Sequence, residues 1–377
     1  MIDINKYLTL MVEKNASDMF FSSGAPVNIK IEGVTSPIGQ KSLEPGMVKK
    51  IAYSIMSERQ IKSFEATLEM NLAISMQNVG RFRINIYRQR GELAMVIRYI
   101  KSHIPSIAEL NLPPLLQQLI MEPRGLVLIV GATGSGKTTT LASMIEHRNQ
   151  KTTGHILTIE DPMEYIHKNN KSIIDQREVG IDTLSYSNAL KNAMREAPDV
   201  ILIGEIRDRE TMQHAISYAE TGHLCLSTLH ANNAPQTLDR IVNFFPESAH
   251  HQLLIDLSLN LRAIISQRLI IGLNGKRVPA VEILLNTPYV AELIQKGEFE
   301  KITEVMEHNS EQGMHTFDQA LFELLNNGKI TEDEALRNAN SRNNLALRIN
   351  LAKNPSLKDS GELSIESDEP MIRRKMK

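Results

Sequence analysis

A glycine-rich octapeptide, GATGSGKT at positions 131–138, has the spacing of a phosphate-binding loop. Its glycines let successive backbone N–H groups converge on phosphate oxygens, while Lys137 supplies a point charge and the Thr138 hydroxyl is a ligand for Mg²⁺. The apolar run GLVLIV precedes the loop and TTTLASMIEHR follows it, and a chance glycine turn would lack this strand–loop–helix context. The sequence therefore predicts a site for ATP and Mg²⁺. The residues expected to contact the nucleotide are Gly131, Ala132, Thr133, Gly134, Ser135, Gly136, Lys137, Thr138 and Thr139.

The stretch DVILIGEIRD, residues 199–208, places a carboxylate at the end of a second apolar strand. ATPases with such a loop often have Asp-Glu here, whereas this chain has Gly204 followed by Glu205. Because ligands bind beyond the carboxyl ends of the strands in open α/β sheets, Glu205 is predicted to reach the water shell of Mg²⁺. The glycine beside it permits close approach. The alternative interpretation is an exposed acid at a strand end.

A third stretch, ILTIEDPMEYIH at 156–167, releases three acids from a strand: Glu160, Asp161 and Glu164. Hydrolysis needs a base or a group that positions water near the γ-phosphate. Pro162 ends the strand and turns the chain, so that an acid can face inward. We expect Glu164 to take this role, although surface loops also carry acids routinely.

Two histidines flank a fourth apolar strand in TGHLCLSTLHANN, residues 221–233. His223 and His230 are seven positions apart, and a strand rises about 3.3 Å per residue, so they lie too far apart to share a metal ion. His230, at the carboxyl end, is a candidate sensor of the γ-phosphate. A purely structural histidine is the alternative.

Composition limits the class of protein. The 377 residues are 42% hydrophobic, enough for two domains, and the net charge of -2 gives no general attraction to nucleic acid or anionic membrane. The single Cys225 excludes a disulfide framework and fits a reducing cytosol. No run of 18 apolar residues exists, so neither a signal peptide nor a membrane span is expected, and the predicted location is cytoplasmic.

The pattern of elements predicts an α/β chain of two domains. Residues 1–101 read as a small α+β domain, in which GRFRINIYRQRG alternates as a strand with Phe82, Ile84 and Ile86 on one face. The proline-containing segment 102–114 is predicted to be a linker, and residues 115–353 are predicted to form the ATPase domain. The polar residues 354–377 are predicted to be a disordered tail. Fully apolar strands predict a parallel sheet covered by helices. The segment 249–270 is predicted to be a long amphipathic helix, and Thr331 and Glu334 to form a capping box.

Together the four motifs resemble the Walker A, Asp box, Walker B and His box of the secretion ATPase superfamily, which drives type II secretion and type IV pili. The resemblance implies a RecA-like ATPase domain behind a PAS-like N-terminal domain. It makes Glu164 the catalytic glutamate and Glu205 the Walker B glutamate. It also makes His223 and His230 the His-box residues, with His223 joining the nucleotide site.

Within the superfamily the chain resembles the retraction branch, the PilT/PilU family. The segment NTPYVAELIQKGEFEKITEVM departs from the PilT pattern at Ala291, Gln295 and Lys296, and SEQGMHTFDQALFELLNNGKIT resembles PilU more closely. This implies a motor that powers or assists pilus retraction and twitching motility beside a PilT-like paralogue, held at the inner membrane by a platform protein. The alternatives are an assembly or secretion ATPase, disfavoured by length and missing cysteines, and a regulatory ATP-binding ring subunit, disfavoured by intact Lys137, Glu164 and Glu205.

The resemblance also implies a homohexameric ring. A site of this kind lacks an internal cation for the charge that develops during phosphoryl transfer, and a neighbouring chain can supply an arginine. The candidates are Arg81, Arg83 and Arg195, although arginines on a strand are more often only a solvated face. Transport of DNA, which RecA-like rings can perform, is disfavoured because no basic stripe with interleaved aromatic residues is present, so no nucleic-acid partner is expected.

Overall fold

The computed structural model describes residues 3–310 and 313–353, which form two β-sheets with helices packed on them. The predicted α/β class, a RecA-like domain behind a smaller N-terminal α+β domain, is confirmed. The predicted disorder of the tail at 354–377 concerns residues outside the described ranges. None of the helices in the described part of the chain is long and apolar enough to cross a membrane.

The N-terminal sheet is antiparallel, with the strand order β3-β2-β1-β6-β5-β4. The predicted alternation in β5 is confirmed, because Phe82, Ile84 and Ile86 are fully buried. The strands are β1 (Asp18–Ser22), β2 (Asn28–Ile31), β3 (Val34–Pro37), β4 (Glu69–Met76), β5 (Gly80–Gln89) and β6 (Glu92–Ile100). The helices are α1 (Ile4–Glu13), α2 (Met47–Ser54) and α3 (Glu58–Thr67).

The second sheet has the order β13-β12-β7-β11-β10-β8-β9, and all neighbours are parallel except β12 and β13. The four runs read from the sequence as apolar strands are β7, β8, β10 and β11, as predicted. Helices cover both faces, which explains why these strands are apolar throughout. The strands are β7 (Gly125–Val130), β8 (Gly154–Glu160), β9 (Ser172–Glu178), β10 (Val200–Ile203), β11 (Leu224–Leu229), β12 (Leu261–Ile271) and β13 (Arg277–Leu285).

Helices connect the parallel strands and then form a C-terminal group. They are α4 (Leu115–Leu119), α5 (Lys137–Lys151), α6 (Tyr186–Ala193), α7 (Arg209–Glu220), α8 (Ala234–Val242), α9 (His250–Asn260), α10 (Pro288–Lys296), α11 (Ile302–His308), α12 (Phe317–Asn326), α13 (Glu332–Asn338) and α14 (Arg342–Lys353). The helices α12, α13 and α14 share one small apolar cluster with Ile270 of β12 and Ala280 of β13.

The predicted long helix over 249–270 is wrong. Only its first half is helical, as α9, and from Leu261 the chain runs as β12, parallel to β7 and antiparallel to β13. Consecutive residues Ile264 and Ile265 are both fully buried, so both faces of this strand are covered. A strand buried on both faces has a continuous apolar pattern, which periodicity cannot distinguish from a buried helix.

Two smaller expectations are refined. Thr331 caps α13 by accepting a hydrogen bond from the Glu334 N–H, but the Glu334 carboxylate contacts Arg337 and Asn338 instead of completing a capping box. The segment 102–114 contains no strand or helix, yet Ile107 and Leu112 are buried in the core beneath the second sheet. The connection is therefore packed along the ATPase domain.

Candidate nucleotide-binding site

The glycine-rich loop joins the end of β7 to the start of α5. The Lys137 ammonium donates to the carbonyl oxygens of Gly131 at 2.8 Å and Ala132 at 3.0 Å, which folds the side chain back under the loop. Burial lowers the pKa of Lys137, and the nearby carboxylates of Glu205 and Glu164 oppose that shift. The loop therefore combines the amino end of a 15-residue helix with a cation, the arrangement that binds phosphate.

Gln267 of β12 supports this loop from below. Its amide donates to the Ser135 carbonyl at 2.8 Å, and its own oxygen accepts from the Thr140 hydroxyl at 2.7 Å. A Cβ atom on Gly131 would lie 2.4 Å from the Gln267 carbonyl oxygen, and one on Gly136 would lie 2.8 Å from the Gln267 amide nitrogen. Gly131 is needed because the loop lies so close to the backbone of β12, and Gly136 is favoured because its φ of 91° lies in the left-handed region.

A cavity of about 320 Å³ opens between this loop and the carboxyl ends of β8, β10 and β11. It brings together most of the residues that the motifs predicted, although they lie up to 100 positions apart in sequence. The predicted residues that line it are Thr133, Gly134, Lys137, Thr138, Glu164, Glu205 and His230. Thr139 lies beside the cavity, where its hydroxyl is 3.0 Å from that of Tyr165.

Glu205 lies directly after β10 and has a partner for each carboxylate oxygen. Arg207 Nε donates to Oε2 at 2.7 Å, and His230 Nε2 lies 2.9 Å from Oε1. Gly204 beside it has no room for a side chain, because a Cβ atom would lie 2.9 Å from the Tyr186 hydroxyl and 3.3 Å from the Cα atom of Glu160. Glycine therefore precedes Glu205 because the end of β10 packs closely against β8 and α6.

The three acids after β8 have different surroundings. Glu160 is buried and accepts hydrogen bonds from the Thr158 hydroxyl at 2.7 Å and the Gln176 amide at 3.3 Å. Burial raises the pKa of Glu160 to about 7. Glu164 is exposed at the mouth of the same cavity, and Asp161 lies 3.6 Å from Arg207. Three carboxyl groups in different environments thus face one cavity.

The structure does not bring His223 to this cavity. His223 precedes β11 and lies at the amino end of the sheet, where its ring contacts the Thr221 hydroxyl at 3.0 Å and the Tyr218 carbonyl oxygen at 3.2 Å. His230 lies at the opposite end of the same strand. Since the strand separates the two rings, the expected contact of His223 with the same nucleotide is not supported within one chain.

The candidate arginines also lie away from this chain's own phosphate loop. Arg83 pairs with Glu178 at the end of β9, at 3.5 Å, and Arg81 lies 4.0 Å from Asp182. Arg195 is exposed in a 3-10 turn that precedes β10, at the amino edge of the sheet. None of the three lines the cavity, so a contribution from them requires a second chain.

Sequence reasoning missed three residues that shape the site: Arg207, Tyr186 and Gln267. Arg207 stands within the DVILIGEIRD stretch, only two positions after Glu205, and that proximity was a usable signal. Gln267 lies beside the phosphate loop and Tyr186 lies beside Gly204. Neither position could be predicted, because both residues belong to segments that are distant in sequence from their partners.

The chain resembles proteins of known family along nearly its whole length. The family model described as type II/IV secretion system protein matches residues 1–358. The "Type IV pilus ATPase PilU" of Pseudomonas aeruginosa is 48% identical over 99% of this chain and 100% of that protein. The "Type IV pilus retractation ATPase PilT" of the same organism is 39% identical over 90% of this chain and 98% of that protein. The higher identity to PilU confirms the predicted resemblance to that side of the branch.

A solved structure agrees with these matches. The crystal structure of the pilus retraction motor PilT with bound ADP superposes with a TM-score of 0.85 at 39% identity, covering 92% of this chain and 100% of that one. Both domains therefore have counterparts in a protein that binds a nucleotide.

Proposed function

Because the chain belongs to the type II/IV secretion system protein family, we propose that it is an ATPase motor subunit that powers or assists type IV pilus retraction. The main observation behind the proposal is that one cavity contains the predicted site residues, in a chain that is similar to PilU along nearly its whole length. These residues are Lys137, Thr138, Glu164, Glu205 and His230.

The arrangement of the cavity supports a sequence of roles for hydrolysis. The loop N–H groups and Lys137 bind the β- and γ-phosphates, and His230 contacts the region of the γ-phosphate. Glu164, at the open mouth, positions or deprotonates the attacking water. Thr138 and Glu205 offer the oxygen ligands that suit Mg²⁺, whose charge neutralises the phosphate oxygens when it is bound.

The motor proposal includes a homohexameric ring that acts on a pilus platform protein at the inner membrane, beside a PilT-like paralogue and from the cytoplasmic side. In this cycle, ATP closes the N-terminal domain of one chain onto the ATPase domain of its neighbour, and hydrolysis reopens it. An arginine of the neighbour (Arg81, Arg83 or Arg195) stabilises the charge at the γ-phosphate. No nucleic-acid partner is part of the proposal.

The direction of the motor is tested by deleting the gene in its native host and counting surface pili by electron microscopy, alone and with the PilT-like paralogue removed. We expect an excess of pili in at least one background, because extension then proceeds without retraction. A bald cell would identify an assembly motor instead.

The need for hydrolysis is tested by complementing that deletion with Lys137→Ala, which removes the charge at the phosphates, and with Lys151→Ala, an exposed control on the same helix. Lys137→Ala should leave the excess of pili and lower ATPase activity of the purified protein by at least about 100-fold. Lys151→Ala should restore normal pili. Full complementation by Lys137→Ala would show that pilus retraction does not need this ATPase site and would overturn the motor proposal.

A further inference from the structure

The carboxylate of Glu205 is held on two sides. Arg207 Nε donates to Oε2 at 2.7 Å and His230 Nε2 lies 2.9 Å from Oε1. Only 17% of the Glu205 side chain is exposed, so these contacts lie in a partly dehydrated environment where charge-assisted bonds are stronger than at the open surface. Glu205 is predicted to face the water shell of Mg²⁺, and a guanidinium bound to the same carboxylate places a positive charge beside that position.

Arg207 has a second carboxylate within reach. A second nitrogen of its guanidinium, Nη1, lies 3.6 Å from Oδ2 of Asp161 on the loop after β8. The guanidinium presents donors on separate edges, so it can bind two acids at once or transfer its charge from one to the other. Its side chain is 55% exposed and lines the nucleotide cavity, which leaves it room to move.

We propose that Arg207 is a positioning residue that exchanges between Glu205 and Asp161 and thereby controls when Glu205 is free to serve the metal–nucleotide complex. The inference rests on the proposed function, because it assumes that Glu205 serves bound Mg²⁺. Arg207 competes with the metal for one carboxylate, and Asp161 receives the arginine once the metal has taken its place.

Two substitutions should then shift metal affinity in opposite directions. Arg207→Gln removes the competitor from the Glu205 carboxylate, which favours a cation there. Asp161→Asn removes the alternative partner, so Arg207 remains on Glu205 and opposes the metal. A residue that merely maintained the local fold would weaken binding in both variants.

The test measures binding, separately from turnover. Fluorescent ADP is titrated onto the full-length chain at a series of Mg²⁺ concentrations, and the half-saturating Mg²⁺ concentration is determined. We expect Arg207→Gln to lower this concentration about threefold to tenfold and Asp161→Asn to raise it by a similar factor. Arg207→Lys, which keeps the charge without the fork, should lie between wild type and Arg207→Gln. Arg59→Gln, the same change of charge at an exposed residue of α3, is the matched control and should leave it unchanged.

A double variant shows whether Arg207 acts through Glu205. Glu205→Gln should raise the half-saturating Mg²⁺ concentration, and adding Arg207→Gln to it should change nothing further. Shifts of Arg207→Gln and Asp161→Asn in the same direction, or no shift in either, would overturn the exchange while leaving the nucleotide site intact. The proposed metal role of Glu205 would itself be wrong if ADP binding to the wild type did not depend on Mg²⁺ concentration. It would also be wrong if Glu205→Gln left that Mg²⁺ dependence unchanged.

Discussion

Gly204 explains, at the scale of a single residue, why glycine and not an acid precedes Glu205 in the stretch DVILIGEIRD. The space where its side chain would stand is occupied by the Tyr186 hydroxyl, the Ile159 carbonyl oxygen and the Cα atom of Glu160. Its backbone is not in the left-handed region, so the restriction comes from neighbouring atoms and not from backbone strain. The strand that carries Glu205 can thus lie directly against the strand that carries Glu160.

A substitution at this position should be costly, and a second one should relieve part of the cost. Gly204→Ala should lower the free energy of unfolding by about 1–3 kcal/mol, because it forces a methyl group into a packed site. Adding Tyr186→Phe removes the contact at 2.9 Å but leaves the two backbone contacts at 3.2 and 3.3 Å, so recovery should be partial. Urea unfolding of both single variants and the double variant measures the coupling. Strictly additive effects would show that Tyr186 does not limit the site.

The individual site residues were largely predictable because each belongs to a local motif. Lys137, Thr138, Glu164, Glu205 and His230 each follow a recognisable strand, and the carboxyl ends of parallel strands meet at one edge. The role of His223 came from the resemblance alone, and its position at the amino end of β11 sets it apart from the cavity of its own chain. The partners of Glu205 could not be inferred, since hydrogen bonds depend on side-chain conformation.

At the scale of elements, β12 and β13 are the feature that the sequence did not predict. The strands β7, β8, β10 and β11 could be predicted from their length and their apolar residues. In contrast, β12 continues directly from α9 without a glycine or proline to mark the change. Only its pairing with β7 and β13 determines that it is a strand. Local sequence cannot carry that information, because the pairing partners lie elsewhere in the chain.

This part of the sheet also contains a buried acid that makes stability depend on pH. Glu282 of β13 accepts hydrogen bonds from the Ala234 N–H at 2.8 Å and the Ser266 hydroxyl at 2.9 Å, tying the start of α8 to the sheet. Burial raises the pKa of Glu282 to about 7 from an ordinary value of 4.5. The folded chain therefore holds this proton more tightly than the unfolded chain does.

The stability contributed by protonated Glu282 is present below about pH 4.5 and is lost as the pH rises to about 7. Glu282→Gln keeps an acceptor oxygen for both donors and stays neutral, so it should reduce the loss of stability between about pH 5 and pH 8 by up to about 3 kcal/mol. Urea midpoints of the two proteins at both pH values measure this difference. Glu300→Gln, at an exposed position, is the control and should retain the wild-type dependence. An unchanged pH dependence in Glu282→Gln would assign the effect to another group.

At the scale of the whole molecule, Arg83 and Glu178 connect the two sheets. Glu178 is fully buried, and neither of its oxygens has a hydrogen-bond partner among the described residues. Burial raises the pKa of Glu178, and the charges of Arg83 and then Arg81 oppose the shift. To serve a neighbouring chain, Arg83 would therefore have to leave a carboxylate that has few other partners, whereas Arg195 is exposed and lies away from Glu178. The choice among Arg81, Arg83 and Arg195 has to be made by experiment.

Mixing two variants can make that choice if the proposed ring forms. Each of Arg81→Ala, Arg83→Ala and Arg195→Ala is purified, mixed with Lys137→Ala, and assayed for ATP hydrolysis. If an arginine acts on the neighbour's nucleotide, about a quarter of the interfaces in a randomly mixed ring combine an intact loop with an intact arginine. Activity should then exceed that of either variant alone. An arginine that serves only its own chain should give no gain on mixing.

The strand β12 contacts two regions through adjacent residues. Gln267 supports the phosphate loop. Arg268, on the other face of the strand, donates hydrogen bonds to the carbonyl oxygens of Asn232 and Asn338. Its guanidinium also stacks 3.9 Å above the ring of Phe317 in α12. Side chains alternate along a strand, so the phosphate loop and the C-terminal helices contact neighbouring residues on opposite faces of β12. In kinetic terms, release of the nucleotide and movement of the C-terminal helices should share one relaxation time. A probe on α12 would then report the dwell time of ADP, and this shared relaxation would set an upper limit on the stepping rate of the motor.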